Sequence, residues 1–93
     1  MEDIKALVDY ENGELDAEEE VALMQEMINS GMAWKMQGSY GRAAMAMIEE
    51  GLCMLGEVGY RDYYGNYVPS RYEVLAGTKG SPEYVEARGG GDV

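Results

Sequence analysis

Apolar positions recur at helical intervals through the first half of the chain and then lose their period. Ile4, Leu7 and Val8 stand at i, i+3 and i+4, one face of a short helix, and Asn12-Gly13 then supplies residues that tolerate the left-handed backbone of a helix end. This spacing predicts a helix over roughly residues 2 to 11. Val21, Met24, Met27 and Ile28 form a second set, preceded by Asp16 and Glu19 at capping-box separation and followed by Gly31. The acids at 18, 19 and 20 also favour the positive end of the helix dipole, so a helix is expected over roughly residues 16 to 30. Ser39 as a cap, Tyr40, Ala44, Met47 and Ile48 on one face, and Gly51 as terminator predict a third helix over roughly residues 39 to 50. Gly41 falls inside it at a cost of about 1 kcal/mol relative to alanine, which suggests that a neighbour approaches closely there.

After Leu55 no helical period is visible. The segment holds six of the eight tyrosines and both prolines, with Tyr-Gly-Asn-Tyr and Ser-Pro as turn signals, "RYEVL" as a short strand or extended stretch, and "ARGGGDV" as a disordered end. The expected fold is therefore mainly α: a small three-helix domain over residues 1–55 carrying an extended Tyr-rich C-terminal arm over residues 56–93. A tyrosine ring supplies contact area while its hydroxyl still wants a partner. Such an arm either packs back on the helices or wraps a second protein. A chain of 93 residues buries only a little over ~60% of its unfolded surface, so a partner or a homo-oligomer would add stability.

Charge changes this picture by its placement. The net charge is −11, which disfavours direct nucleic-acid binding and anionic membrane surfaces. Residues 1 to 30 hold ten acids against Lys5, whereas residues 31 to 93 come close to balance with eight acids and six bases. The negative field therefore sits on the first third. A single cysteine, Cys53, eight methionines, an acidic N-terminus and no long apolar run predict a soluble protein of a reducing cytoplasm.

Candidate chemistry is sparse. Around "NGELDAEEE" two calcium-loop frames fail: with Gly13 at the sixth position, Val8 and Tyr10 fall where carboxylates are required, and shifting by one puts Glu14 where the turn needs glycine. A helix stop followed by a capping box explains the same residues, and no metal or cofactor is expected. With no histidine, no base near Cys53 in sequence and no phosphate loop, the chain reads as a non-enzyme. The methionines lie mostly at helical core spacing and read as core, with a Met-rich groove for a partner helix as the alternative.

One stretch, "SGMAWKMQGSYGRAAM", gathers Trp34, Lys35, Gln37, Tyr40 and Arg42. Structurally, Gly31 ends one helix, irregular chain turns the corner, and Trp34 anchors it. Functionally, Trp34 and Tyr40 offer a stacking platform while Lys35, Gln37 and Arg42 offer donors to an anion. The helix that follows carries too much acid to read a DNA groove. Corner building is the better reading for Trp34 and Tyr40, and Arg42 stands open between the two.

Residues 23 to 52 carry a resemblance. Gly31, Ala33, Trp34, Gln37, Gly38, Tyr40, Gly41 and Arg42 match a motif close to G-x-A-W-x-x-Q-G-x-Y-G-R that is similar to a family of small uncharacterised tailed-bacteriophage proteins. The resemblance implies a phage origin and brings no activity. Small acidic phage proteins of this kind suggest, by analogy, an inhibitor or modulator of a host protein, including host defence, working in the host cytoplasm. The residues expected to meet a basic surface on that host protein are Asp16, Glu18, Glu19, Glu20 and Glu26. The alternatives are an oligomeric binder or sponge for a nucleotide-like anion, using Trp34, Lys35, Gln37, Tyr40 and Arg42, and a minor virion component.

Overall fold

The computed structural model describes residues 4–36 and 38–88. Helix α1, Ile4–Glu11, ends where Gly13 takes a positive φ of 74°. Helix α2, Ala17–Ser30, opens with the expected capping box: Glu19 N–H donates to Asp16 Oδ1 at 2.8 Å and Asp16 N–H donates to Glu19 Oε1 at 2.9 Å. Replacing Asp16 with alanine is expected to cost about 1 kcal/mol, readable as a melting temperature lower by about 4 to 8 °C.

Gly31, at φ 85°, stops α2 and leads straight into α3, Met32–Lys35, a single helical turn where irregular chain was expected. Helix α4 spans Gly38–Glu49. Ser39 therefore lies inside the helix rather than capping it, and Gly51, at φ 79°, follows the helix end as expected.

The core is built by α2, α3 and α4 together with the chain that leaves α4. Leu23, Met24, Met27, Ile28, Ala33, Trp34, Ala44, Ile48, Cys53 and Leu55 are all buried. Met24 and Met27 fill core space as their spacing suggested and Met32, Met36 and Met47 pack against it, whereas Met45 stays 43% exposed and Met54 is half-buried outside this cluster. On α1, Leu7 packs against the core while Val8 faces out. Gly41 turns out not to mark a close approach, because a Cβ there would meet only Ala33 O at 3.6 Å and Trp34 Cε3 at 4.0 Å, ordinary contact distances. Gly41→Ala is accordingly expected to raise stability by up to about 1 kcal/mol through helix propensity, seen as a higher urea midpoint.

The C-terminal segment holds more regular structure than the extended arm that was expected. Strands β1, Tyr60–Arg61, and β2, Tyr67–Val68, pair antiparallel with Tyr60 opposite Val68 and Arg61 opposite Tyr67. Asp62 Oδ1 accepts from Tyr64 N–H and Asn66 N–H and so shapes the turn that Tyr-Gly-Asn-Tyr announced. Helix α5, Pro82–Ala87, starts on a Ser81 side chain that accepts from Tyr84 N–H, with Pro82 in its first turn. "RYEVL" forms turns rather than a strand. In the "ARGGGDV" end, Ala87 closes α5, and the residues after Arg88 lie outside the described ones.

Long-range polar bonds lay this segment on the helices. Gln25 bonds both the carbonyl and the N–H of Met54, Arg71 Nε donates to Leu55 O at 2.9 Å, Tyr60 donates to Asn29 O, and Tyr84 donates to Glu49 O at 2.8 Å. Backbone groups that would otherwise be stranded at the surface of α2 and α4 are thereby satisfied.

Candidate functional site: a groove beside helix α4

The corner residues separate in space. Trp34 is 3% exposed, and part of it forms the wall of a cleft of about 650 Å³. Arg42 lines the same cleft and makes no ion pair among the described residues. Lys35 and Tyr40 do not line it. Lys35 lies 5.8 Å from the centre of the Tyr60 ring, and Tyr40 turns to α1, where its hydroxyl donates to the Glu11 carboxylate and its ring meets Tyr10 at 6.0 Å. Gln37 lies outside the described residues. Of the five expected ligand contacts, the structure brings together Trp34 and Arg42.

On the helical side the floor is a stripe of α4, with Arg42, Met45, Ala46 and Glu49 one after another at helical spacing. The opposite side comes from the hairpin and the chain after it, through Tyr63, Tyr64, Tyr67, Val68, Pro69 and Lys79. Tyr63 and Tyr64 meet edge to face, 5.2 Å between centres, and both rings remain more than 60% exposed. Tyr67 is held by its hydroxyl bond to Glu73 at 2.7 Å, which keeps the Glu73 carboxyl below the ordinary carboxylate range together with the bond from Ser70 N–H, the larger cause. The hairpin tyrosines and Lys79 were missed in the sequence; the only signal for them was tyrosines flanking a Gly-Asn turn.

Glu49 and Asp62 also line the cleft, so its basic and acidic groups balance. Such a lining recognises by shape, aromatic contact and two signs of charge rather than by one strong field.

The expected acidic contacts divide as well. Asp16 and Glu19 are engaged with one another in the α2 cap, whereas Glu18 and Glu26 are exposed. Glu20 is half-buried, and none of these five acids makes an ion pair among the described residues.

Two groups away from the cleft hold their protons tightly. Burial pushes the Cys53 thiol up to about 11, and burial together with the Glu11 hydrogen bond pushes Tyr40 up to about 12. A buried thiol of this kind, with its Sγ directed at Val21 O, is no nucleophile. In both cases the folded chain keeps a proton that the unfolded chain gives up near 9 and 10 respectively. The stability they provide is therefore complete below pH 9 and declines as pH climbs through 11 and 12. Melting curves between pH 8 and 11 should show this fall, and Cys53→Ala should flatten its first part.

The residues that build α1 to α4, β1 and the first part of the hairpin turn, 1–63, match the family model of a domain of unknown function, DUF7417. The chain belongs to this family. No curated protein and no solved structure matches it. The DUF7417 match includes the whole α4 stripe and Trp34, while Tyr64, Tyr67, Val68 and Lys79 follow it in the chain, so the groove is completed from outside the matched residues. Among the described residues no helix is long and apolar enough to cross a membrane, and no group of three or more Cys, Asp or Glu is placed to hold a metal ion.

Proposed function

We propose that the protein is a non-enzymatic interaction protein of a tailed bacteriophage that binds and modulates a host protein bearing a basic surface. The observation that carries this reading is the uncovered groove: Met45, Tyr63, Tyr64 and Tyr67 stay exposed around one cleft in a chain small enough to need every apolar contact it can make. The G-x-A-W-x-x-Q-G-x-Y-G-R resemblance supports the phage origin. In this reading the groove supplies affinity, and the acids of the first thirty residues, Glu18 and Glu26 foremost, steer the basic partner inward.

Tagged protein expressed in a bacterial host, with captured proteins identified by mass spectrometry, tests this directly. A specific partner is expected that is lost with Met45→Glu and that binds wild type more weakly from low to half-molar salt. An identical set captured by wild type, Met45→Glu and a Glu18→Lys/Glu26→Lys variant would dismiss it.

One observation favours a second reading, a binder of a small aromatic anion: Arg42 is free of ion pairs beside the Trp34 wall, in a cleft of a size usual for small ligands. Lys35 and Tyr40 would play no part in it. A nucleotide panel that moves neither Trp34 fluorescence nor the melting temperature would end that reading.

A further inference from the structure

We propose that the groove receives a single amphipathic helix of the protein partner, with a carboxylate over Arg42 and a cation over Glu49, two helical turns apart. The inference rests on the protein-partner reading and adds the chemistry of what binds. Its basis is the order of groups along α4. Arg42, Met45, Ala46 and Glu49 all line the groove, at i, i+3, i+4 and i+7. A cation thus stands at one end, an apolar centre follows, and an anion stands about 10 Å further on.

Both ends are built and unpaired. At the first, the Arg42 head group and the Tyr64 hydroxyl close over Gly38, each 3.0 Å from where a Cβ on that glycine would stand. At the second, the Glu49 carbonyl is fixed by Tyr84, while its carboxylate makes no ion pair among the described residues. Tyr63 and Tyr64 add aromatic area to the same lining.

The spacing selects a helix over an extended segment. A strand repeats on one face every ~7 Å, so its same-face positions fall near 7 and 14 Å and miss a 10 Å separation. A helix places i and i+7 on one face at about 10.5 Å, with i+3 and i+4 between them to meet Met45 and the tyrosines. Charge complementarity then ties the direction of the bound helix to the order of its charges. An antiparallel helix carries its cation first and its carboxylate seven residues later, and a parallel one carries them in the reverse order.

The test uses the intact protein and four labelled helical peptides of about 18 residues, each with leucines at i+3 and i+4. Their charged pairs at i and i+7 are Lys/Glu, Glu/Lys, Glu/Glu and Lys/Lys. One of the two opposite-charge peptides is expected to bind about tenfold or more tightly than the other three in fluorescence anisotropy. The double reversal Arg42→Glu/Glu49→Lys, at two exposed positions, is expected to pass that preference to the peptide of opposite order, with circular dichroism confirming the fold. The single Arg42→Glu variant should lose the preference without gaining the other. Equal binding of all four peptides, no binding, or a preference unchanged by the double reversal overturns the proposal. A captured host protein whose affinity ignores both reversals would leave the partner reading standing while this one falls.

Discussion

Replacing Trp34 with alanine is expected to lower the stability of the domain by about 3 to 5 kcal/mol. The residue is 3% exposed and sits on α3, a helix of four residues that packs against both α2 and α4. A single helical turn has no stability of its own, since nucleation costs more than so few hydrogen bonds return. What holds the turn is the indole driven into the seam between its neighbours. A chain of 93 residues has a total stability of roughly 5 to 14 kcal/mol, so the substitution removes between about a fifth and all of it. The melting temperature should fall by roughly 15 °C or more, while Trp34→Phe should keep the larger part of the lost stability. A fall under about 1 kcal/mol for Trp34→Ala would mean that the indole is a ligand surface and not the anchor. Because part of the ring also lines the groove, Trp34→Phe is the variant in which binding can be measured on a folded protein.

How far the sequence discloses this architecture depends on where each signal is encoded. The limits of α2 are local: Asp16, Glu19 and Gly31 each act within a few residues of themselves, so the capping box and the left-handed stop are readable without any tertiary knowledge. The one-turn α3 is not local. Its four residues have no period to display, and the turn exists because Ala33 and Trp34 are buried between two longer helices. The same holds after Leu55, where Gln25, Asn29 and Arg71 place the hairpin side and Tyr84 places α5, acting across 16 to 42 positions of chain. Such bonds leave no pattern in the sequence, which is why this segment reads as an arm.

The groove was half legible for the same reason. Trp34 and Arg42 are eight positions apart on adjoining helices and could be suspected together. Tyr63 and Tyr64 reach them only through the hairpin. Tyr40, close in sequence, points away because Glu11 on α1 holds its hydroxyl. Proximity along the chain therefore overestimated one aromatic and missed others. The acidic segment shows a related effect: Asp16 and Glu19 contribute to the charge of the first thirty residues, but their carboxylates already accept backbone N–H groups, which leaves Glu18 and Glu26 as the better contacts for a basic partner.

Gly31→Ala is expected to be nearly as damaging as the loss of the indole, for a different reason and with a different signature. The position has φ 85°, where a side chain costs about 1 to 2 kcal/mol. An added Cβ would also stand 2.5 Å from Tyr60 Cε1 and 2.7 Å from Cδ1, inside the van der Waals surface of the ring. Tyr60 cannot swing aside freely, since its hydroxyl donates to Asn29 O and its backbone is paired with Val68 in the hairpin. Overpacking of this kind costs about 1 to 3 kcal/mol more, for a total of roughly 2 to 5 kcal/mol. The two contributions separate in a double-mutant cycle: with Tyr60→Ala as background the steric part disappears and only the backbone part remains, giving a coupling of about 1 to 3 kcal/mol. Additive effects would show that the ring moves without resistance. Gly41→Ala serves as the internal control, because that glycine belongs to the same motif, has an ordinary helical backbone and has room for a methyl group. Opposite signs at Gly31 and Gly41 would establish that the first glycine is required by the contact between the α2–α3 corner and β1. That contact sets the position of the hairpin, and with it the tyrosine wall of the groove.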